Sequence, residues 1–336
     1  MDIQSKGKKV NLKTKLKLLR NRSSFQIMDL SAKWIFAKVM GLPQALMIEP
    51  TDVCNLKCTF CYTQNVELKR MTHTLSLEKY KDIIQDVRRY CMYINFWFAG
   101  EPLINKDIYK FVDHANRNNI LSCISSNGML LTPQASHNLI EAGLDRIIIS
   151  FDGANKETYE KIRVGAKFET VIENVRKLVQ LKKELKSRKP YVSLQMVLTK
   201  DNEQEVEKFT ELAKDLGVDQ AYVKSLYTFD TQDKEVKDKI KALQTENNQR
   251  TSDSEERKAA CTANNRTAIL CDGTVVPCCY DVDSIYKFGD VGLNSLTDIW
   301  ESSEYKIFRK DNKKFKESPL CSKCGCKKDF SLKELI

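Results

Sequence analysis

Short apolar runs alternate with amphipathic stretches between residues 45 and 225. The runs are rich in β-branched residues and have the length of strands, whereas the stretches between them repeat apolar residues every three or four positions. This alternation predicts a parallel sheet of six strands, at residues 45–49, 93–98, 120–125, 146–151, 192–198 and 220–223. Six units are too few for the usual closed barrel of eight strands. We therefore expect an α/β fold, a partial (β/α)6 TIM-like barrel with its site at the carboxyl ends of the strands.

The predicted helices have recognisable boundaries. Thr132 and Pro133 are typical of an N-cap and a first helical residue, and Gly143 is typical of the position after a helix. Another helix is expected to begin near Lys167, and a further one to end at Gly217. We interpret the apolar stripes of these helices as the faces that pack on the sheet.

Composition divides the chain into four segments. Residues 1–44 form a basic N-terminal extension, residues 45–225 the barrel, residues 226–258 a polar helical connector, and residues 259–330 a small cysteine-rich unit. Seven of the twelve cysteines lie between positions 261 and 326. Such a small unit is expected to be held together by metal rather than by a large core.

The formal charge of +10 is concentrated at the start of the chain, where residues 1–24 carry eight Lys and Arg against one Asp. A solvated tail, a surface-docking helix and a site for an anionic substrate or partner are all compatible with this arm, and the charge alone does not indicate nucleic acid. No apolar run reaches the length of a membrane span, and no secretory signal is present. We expect a cytoplasmic protein, in which cysteines are more often metal ligands than disulfides.

Three cysteines follow the first predicted strand with the spacing CxxxCxxC, at Cys54, Cys58 and Cys61. Thiolates of this kind ligate iron-sulfur clusters. Three of them on one loop leave one iron of a cubane without a protein ligand, so that this iron can bind a cofactor. The alternative is a zinc knuckle with a fourth ligand elsewhere, although zinc sites more often pair two CxxC halves.

This cysteine loop resembles that of the radical S-adenosylmethionine (SAM) superfamily, and the resemblance extends over residues 45–225. It implies that Cys54, Cys58 and Cys61 hold a [4Fe-4S] cluster whose free iron binds SAM. It also implies that the reduced cluster cleaves SAM to a 5'-deoxyadenosyl radical, which removes a hydrogen atom from a substrate C–H bond. A flavodoxin or a ferredoxin is the expected electron donor.

Other positions resemble segments that approach SAM in this family. Ala99 to Pro102 resemble a Gly-Gly-Glu-Pro segment, with Ala in place of the first glycine, whose backbone and acidic side chain receive the methionine ammonium. Asn127 and Ser150 end the third and fourth strands, where turn chemistry is the competing interpretation. Arg163 resembles an arginine that pairs with the cofactor carboxylate, and a surface arginine is its alternative. The resemblance assigns SAM binding to Phe60, Gly100, Glu101, Pro102, Asn127, Ser150 and Arg163, with Gln195 as a weaker candidate.

The carboxy-terminal cysteines resemble the SPASM and twitch extensions that carry auxiliary clusters. Gly273 to Cys278 match the GxxxxC element of those extensions, and residues 296–300 match their helix. The resemblance implies one auxiliary [4Fe-4S] cluster with the ligands Cys261, Cys278, Cys321 and Cys324. Three other thiols remain open as ligands, Cys271, Cys279 and Cys326, and so does a structural zinc in place of the cluster.

The function expected from this resemblance is oxidation or epimerisation of a carbohydrate or nucleotide-sugar substrate by an oxidoreductase-type enzyme. We expect the 44 residues before the first strand to be too short and too Lys-rich for a leader-peptide recognition domain, which favours the carbohydrate. The main alternative is a maturase that modifies a ribosomally made peptide or a protein side chain. A non-enzymatic zinc-stabilised binding protein is a third hypothesis. The sequence identifies no catalytic acid or base.

Overall fold

A computed structural model describes residues 2–4, 21–65, 73–226, 234–246 and 265–310. Ten strands within these residues form one sheet, in the order β1-β7-β6-β5-β4-β3-β2-β8-β9-β10. The strands are β1 (Asp2–Gln4), β2 (Ala45–Ile48), β3 (Tyr93–Phe96), β4 (Leu121–Ser126), β5 (Arg146–Ser150), β6 (Tyr191–Leu198), β7 (Gln220–Ser225), β8 (Arg266–Ile269), β9 (Thr274–Val276) and β10 (Gly289–Asp290).

Strands β2 to β7 confirm the six predicted strands, and each is parallel to its neighbour in chain order. Their carboxyl ends therefore meet at one edge, as the partial barrel requires. The apolar, β-branched composition of these strands is explained by burial, because Ile48, Phe96, Ile124, Ile149 and Leu194 all lie in the main core.

Eleven helices of four or more residues lie in the described ranges. They are α1 (Ser24–Met40), α2 (Tyr62–Asn65), α3 (Leu77–Val87), α4 (Ile108–Arg117), α5 (Pro133–Glu141), α6 (Lys156–Ile162), α7 (Phe168–Glu184), α8 (Val206–Asp215), α9 (Lys234–Ala242), α10 (Leu296–Glu301) and α11 (Ser303–Lys310). Helix α5 begins as predicted, because the Thr132 side chain accepts a hydrogen bond from the Ala135 N–H and Pro133 follows it. Gly143 ends this segment with a φ of +80°, in the left-handed region.

The two faces of the sheet have different environments. One face packs against helices in the main core, which includes Ile94 and Ile147 together with Tyr80 of α3 and Val175 of α7. Residues alternate along a strand, so their neighbours point to the opposite, concave face. There the amino-terminal half of the barrel holds a separate apolar cluster, which includes Tyr93 and Ile148.

The sheet continues beyond the six predicted strands at both edges. Strand β1 pairs with β7, and β8 pairs with β2 in parallel. Strands β8, β9 and β10 belong to the cysteine-rich segment, so this segment begins as an extension of the barrel sheet. Helix α10 of this segment also packs against the preceding part of the chain, because the Trp300 indole donates to the Gly41 carbonyl at 2.8 Å and the Thr297 hydroxyl donates to Asp86 of α3 at 3.0 Å.

Two of the helices lie in segments that the sequence separates from the barrel. Helix α1 lies in the predicted basic extension, and helix α9 lies in the predicted polar connector. The domain boundaries themselves stay a prediction. None of the described helices combines the length and the hydrophobicity needed to cross a lipid bilayer.

Candidate active site

The cysteine loop follows β2 at the carboxyl edge of the sheet, where the parallel fold places an active site. Cys58 is buried, while Cys54 and Cys61 are partly exposed. The loop backbone is bonded to the carboxyl end of α6 and the residues after it, because the Thr59 N–H donates to the Ile162 carbonyl at 3.0 Å and the Lys57 N–H donates to the Val164 carbonyl at 2.9 Å. The loop is therefore held by the strand that precedes it and by a second element about a hundred residues later in the chain.

The donor set of this loop fits an iron-sulfur cluster, because all three side chains are thiols. Over the described ranges, no three Cys, His, Asp or Glu side chains converge closely enough to ligate one metal ion. Each thiolate of a cubane binds a different iron, so three cluster ligands need not converge on one point. Three thiols on one loop match the all-thiolate ligation of iron-sulfur clusters.

Arg163 lies beside the cysteine loop, buried and paired with a carboxylate. Its Nε and Nη2 atoms contact Asp152 Oδ2 at 2.6 and 2.5 Å, and Asp152 is fully buried. Its Nη1 atom lies 3.6 Å from Cys58 Sγ, and its guanidinium lies 5.7 Å from the centre of the Phe60 ring. The surface-arginine interpretation is therefore wrong. The contact with a cofactor carboxylate stays a prediction.

Burial and the charge of Arg163 shift the pKa of the Cys58 thiol in opposite directions. Burial raises the pKa of Cys58, and the guanidinium of Arg163 opposes that rise. Burial raises the pKa of Cys54 to about 11, and the carboxylate of Glu101 adds to the rise. A bound cluster would reverse this balance, because iron ligation stabilises thiolates, and Arg163 then supplies a positive charge close to the Cys58 thiolate.

Gly100 and Glu101 bring the end of β3 into contact with the cysteine loop. The Glu101 N–H donates to the Val53 carbonyl at 2.8 Å, one residue before the first cysteine. A Cβ atom at Gly100 would lie 2.2 Å from the Val53 carbonyl oxygen and 2.6 Å from that of Thr51, so only glycine permits this approach. Pro102, which is buried, begins the 3-10 turn that follows.

Glu101 is buried, and its carboxylate accepts hydrogen bonds from its own chain. Oε1 accepts from the Ser126 hydroxyl at 2.8 Å and from the Leu103 N–H at 3.2 Å, and Oε2 accepts from the Asn127 N–H at 2.8 Å. Burial raises the pKa of Glu101, and these donors oppose the rise. Each carboxylate oxygen has two lone pairs, so the predicted contact with an ammonium group remains compatible with these bonds.

Asn127 links the end of β4 to the cysteine loop, because its Nδ2 donates to Asn55 Oδ1 at 2.8 Å. Ser150 and Gln195 lie side by side in the registered strands β5 and β6. Ser150 is partly exposed, and Gln195 accepts a hydrogen bond from the Tyr222 hydroxyl at 2.9 Å. The predicted SAM contacts thus surround one edge of the sheet, while their individual roles stay predictions.

Two residues that connect segments of the site by hydrogen bonds were not predicted from the sequence. Glu49 is fully buried, and its carboxylate accepts from the Ala99 N–H at 3.2 Å and from the Cys271 N–H at 3.0 Å. Asn105 donates to the Pro50 and Leu75 carbonyls at 2.8 and 3.0 Å. An acidic residue at the end of a buried strand was the available signal for Glu49. No comparable signal marks Asn105.

The described part of the cysteine-rich segment contains three of the candidate auxiliary ligands. Cys271 is buried, Cys278 is partly exposed and Cys279 is exposed. The predicted ligands Cys261, Cys321 and Cys324 lie outside the described residues, as does Cys326. The segment also contacts the cysteine loop, because the hydroxyl of Tyr62 donates to the carboxylate of Asp283.

Family comparison agrees with this arrangement of sheet, cysteine loop and carboxy-terminal segment. The family model of the radical SAM superfamily matches residues 48–213. The chain belongs to the radical SAM superfamily. A second model, the SPASM iron-sulfur cluster-binding domain, matches residues 261–325. The protein is therefore a radical SAM enzyme that uses a [4Fe-4S] cluster and SAM, and its SPASM domain supports an auxiliary cluster.

Two relatives show the extent of the similarity. The tungsten-containing aldehyde ferredoxin oxidoreductase cofactor-modifying protein of Pyrococcus furiosus is 27% identical, and the match covers 83% of this chain and 86% of that protein. The PqqA peptide cyclase of Streptomyces rochei is 28% identical over 180 residues, which cover 54% of this chain and 47% of that protein. The second similarity thus spans less than half of the peptide cyclase.

A solved structure confirms the fold at low sequence identity. The crystal structure of Streptococcus suis SuiB bound to precursor peptide SuiA is 15% identical, with a TM-score of 0.62, and the match covers 91% of this chain and 77% of that chain. The fold predicted from the sequence, a partial barrel followed by a SPASM-like segment, is confirmed.

Proposed function

We propose that this radical SAM enzyme modifies a peptide or a protein side chain. The main support is the similarity to a peptide cyclase, together with the fold shared with an enzyme that binds a precursor peptide. These relatives support a peptide or protein substrate better than the carbohydrate-type substrate that the sequence analysis favours. If the proposal holds, the lysine-rich residues before the barrel are compatible with a peptide substrate.

In this proposal Cys54, Cys58 and Cys61 hold the [4Fe-4S] cluster, and Phe60, Gly100, Glu101, Pro102, Asn127, Ser150 and Arg163 surround SAM. When bound, the cluster and SAM supply a one-electron reductive cleavage that generates a hydrogen-abstracting radical. Asp152 keeps Arg163 in place, so that a positive charge stays 3.6 Å from the Cys58 sulfur. Gly100 permits the close backbone approach that sets the distance between β3 and the cysteine loop.

The concave face of the sheet supports a substrate rich in hydrogen-bonding groups. Alternation along the strands places Asn95, Ser125, Ser150 and Gln195 on the side opposite to the helices. Asn95, Ser125 and Ser150 are partly exposed near the carboxyl edge. Neutral amide and hydroxyl groups of this kind can donate to and accept from a peptide backbone.

The test is a deuterium-transfer assay with the anaerobically reconstituted full chain, SAM and dithionite. Two deuterated pools from the source cell are supplied separately, one of peptides and one of nucleotide sugars. The proposal predicts that 5'-deoxyadenosine gains deuterium only with the peptide pool. Deuterium gained only from the nucleotide sugars would restore the carbohydrate hypothesis.

A second assay, with unlabelled peptide, decides between an oxidoreductase-type outcome and an epimerisation. We expect oxidation, in which the modified peptide is two hydrogens lighter than its precursor by mass spectrometry. Epimerisation instead gives a product whose mass is unchanged in ordinary water and one unit higher in heavy water, because one solvent deuterium is taken up.

A further inference from the structure

Arg146, the first residue of β5, is a buried arginine on the concave face of the sheet. Ile147 lies in the main core on the helix side and Ile148 lies in the concave cluster, so alternation places Arg146 on the concave side. Its Nε donates to the Ser193 hydroxyl at 3.3 Å, and its Nη2 donates to Ser193 at 3.1 Å and to Gln220 Oε1 at 3.2 Å. These hydrogen-bond partners carry no charge.

The charge of Arg146 has no counter-ion in the described part of the chain. No carboxylate pairs with it there, and no group there accepts a hydrogen bond from its Nη1 atom. The adjacent carboxylate, Asp145, is instead paired with Arg22 and Lys189. A guanidinium stays protonated in proteins, and a buried charge is costly unless an opposite charge meets it. The side chain is thus a buried cation that its described surroundings do not neutralise.

The groups around the guanidinium are aromatic and uncharged. It lies 6.0 Å from the centre of the Tyr191 ring and 5.9 Å from that of the Tyr222 ring. Burial raises the pKa of Tyr222 to about 12 and that of Cys123, opposite Arg146 in the register, to about 11, so both stay neutral at neutral pH. Lys224 brings a second cation, because its Nζ lies 5.8 Å from the centre of the same Tyr222 ring. The inward positions of β3 to β7 contain no Asp or Glu, so this face attracts anions.

The Arg146 side chain extends towards the edge of the sheet that carries the candidate active site. Its contact Ser193 lies opposite Ile148 in the register, two residues beyond Arg146 towards the carboxyl end of β5. The next inward residues of β5 and β7 are Ser150 and Tyr222, and both are partly exposed. A ligand that enters from the edge with the cysteine loop therefore meets these two side chains first and the guanidinium below them.

We propose that Arg146 binds a carboxylate of the peptide substrate, on an Asp or Glu side chain or at the carboxyl terminus. This inference rests on the proposed peptide substrate and narrows it to an acidic one. A carboxylate accepts hydrogen bonds from a guanidinium and supplies the negative charge that the barrel interior lacks. The contacts with Ser193 and Gln220 hold the planar group in place before the substrate arrives. A neutral substrate would leave the buried charge unpaired, so the site selects by charge.

The first experiment is isothermal titration calorimetry on the reconstituted, SAM-loaded full chain. The probes are N-acetyl-glutamate methylamide, which has a side-chain carboxylate, its uncharged glutamine counterpart, and N-acetyl-alanine, which has a terminal carboxylate. Arg146→Gln removes the positive charge, and Arg146→Lys keeps it. The matched control is Arg176→Gln, which removes an exposed arginine charge on α7. Circular dichroism shows whether each variant is folded.

We expect one of the two acids to bind the wild type at least about tenfold more tightly than the glutamine probe, and the tighter acid identifies the source of the carboxylate. Arg146→Gln should lose this preference, Arg146→Lys should keep part of it, and Arg176→Gln should keep all of it. Two results would overturn the inference: acids that bind the wild type no more tightly than the amide, or a preference unchanged in Arg146→Gln. The wild-type comparison needs no variant, so it tests the inference even where Arg146→Gln does not fold.

The second experiment repeats the deuterium-transfer assay with the peptide pool before and after its carboxyl groups are converted to methylamides. We expect this amidation to lower deuterium transfer at least about tenfold, and N-acetylation of the pool, which changes only amines, to leave transfer unchanged. Equal transfer from the amidated pool would overturn the inference and leave the proposed function standing. No transfer from either pool, with the preference for acids intact, would overturn the proposed function and leave a carboxylate site at Arg146.

Discussion

Substituting Gly100 by alanine perturbs the site without removing any polar group. The added Cβ would lie 2.2 Å from the Val53 carbonyl oxygen, and it must move back by about 0.8 Å to reach 3.0 Å, a distance below which real Cβ contacts essentially do not occur. The neighbours at this point are backbone atoms of residues 51 to 53, so no flexible side chain can give way. The displacement must therefore move the residues immediately before Cys54.

Overpacking of this kind lowers the free energy of unfolding by about 1–3 kcal/mol. A displacement near 1 Å in a catalytic site costs up to about a hundredfold in rate. We expect Gly100→Ala to lose about 1–3 kcal/mol in urea unfolding and at least about tenfold in 5'-deoxyadenosine formation.

The matched control for this substitution is Gly292→Ala. The Cβ added there meets the ends of two flexible side chains, Asp290 at 3.1 Å and Lys79 at 3.7 Å. We expect its stability to stay within about 0.5 kcal/mol of wild type. Wild-type stability and 5'-deoxyadenosine yield in Gly100→Ala would show that the close backbone approach imposes no constraint on the site.

Two further predictions concern buried groups. Arg163→Gln leaves the Asp152 carboxylate buried without its guanidinium, so urea unfolding is expected to show a loss of about 3–5 kcal/mol. Lys161→Gln, which breaks the more exposed pair with Asp201, is expected to leave the unfolding midpoint close to that of wild type, and equal losses in the two variants would contradict this expectation. Burial raises the pKa of Cys91 to about 12 and that of Cys123 to about 11, so at pH 8 only about one thiol in a thousand or fewer is ionised. Iodoacetamide treatment of the folded, reduced apoprotein, read by mass spectrometry, should therefore modify the exposed Cys279 well before either of them, and alkylation of Cys123 as fast as Cys279 would show that its thiol is accessible.

The cysteine motif and the six strands were predictable because each depends on residues close together in the chain. The spacing of Cys54, Cys58 and Cys61 requires only a loop after a strand, and the strand pattern requires only local alternation of apolar runs. The Arg163–Asp152 pair was harder to predict, because the two residues lie eleven positions apart with a helix between them, and an arginine in a sequence carries no sign of burial. Its neighbour Cys58 is 105 positions away.

The orientation of helix α1 could not be predicted from the sequence. An amphipathic helix normally buries its apolar face, and here Lys33 and Arg22 are buried while Phe25 and Val39 face solvent. Only the partners Asn118 and Asp145, far along the chain, explain this orientation. Glu49 is similar, since its contact with Cys271 joins residues 222 positions apart.

We propose that Cys54, Cys58 and Cys61 hold the cluster that starts the radical reaction. The direct measurement is iron content and 5'-deoxyadenosine formation in the anaerobically reconstituted chain and in its triple Ala variant at these positions. With one auxiliary cluster, we expect about eight irons in the wild type, about four in the variant, and no 5'-deoxyadenosine from the variant. Formation of 5'-deoxyadenosine by the triple variant at the wild-type rate would contradict it.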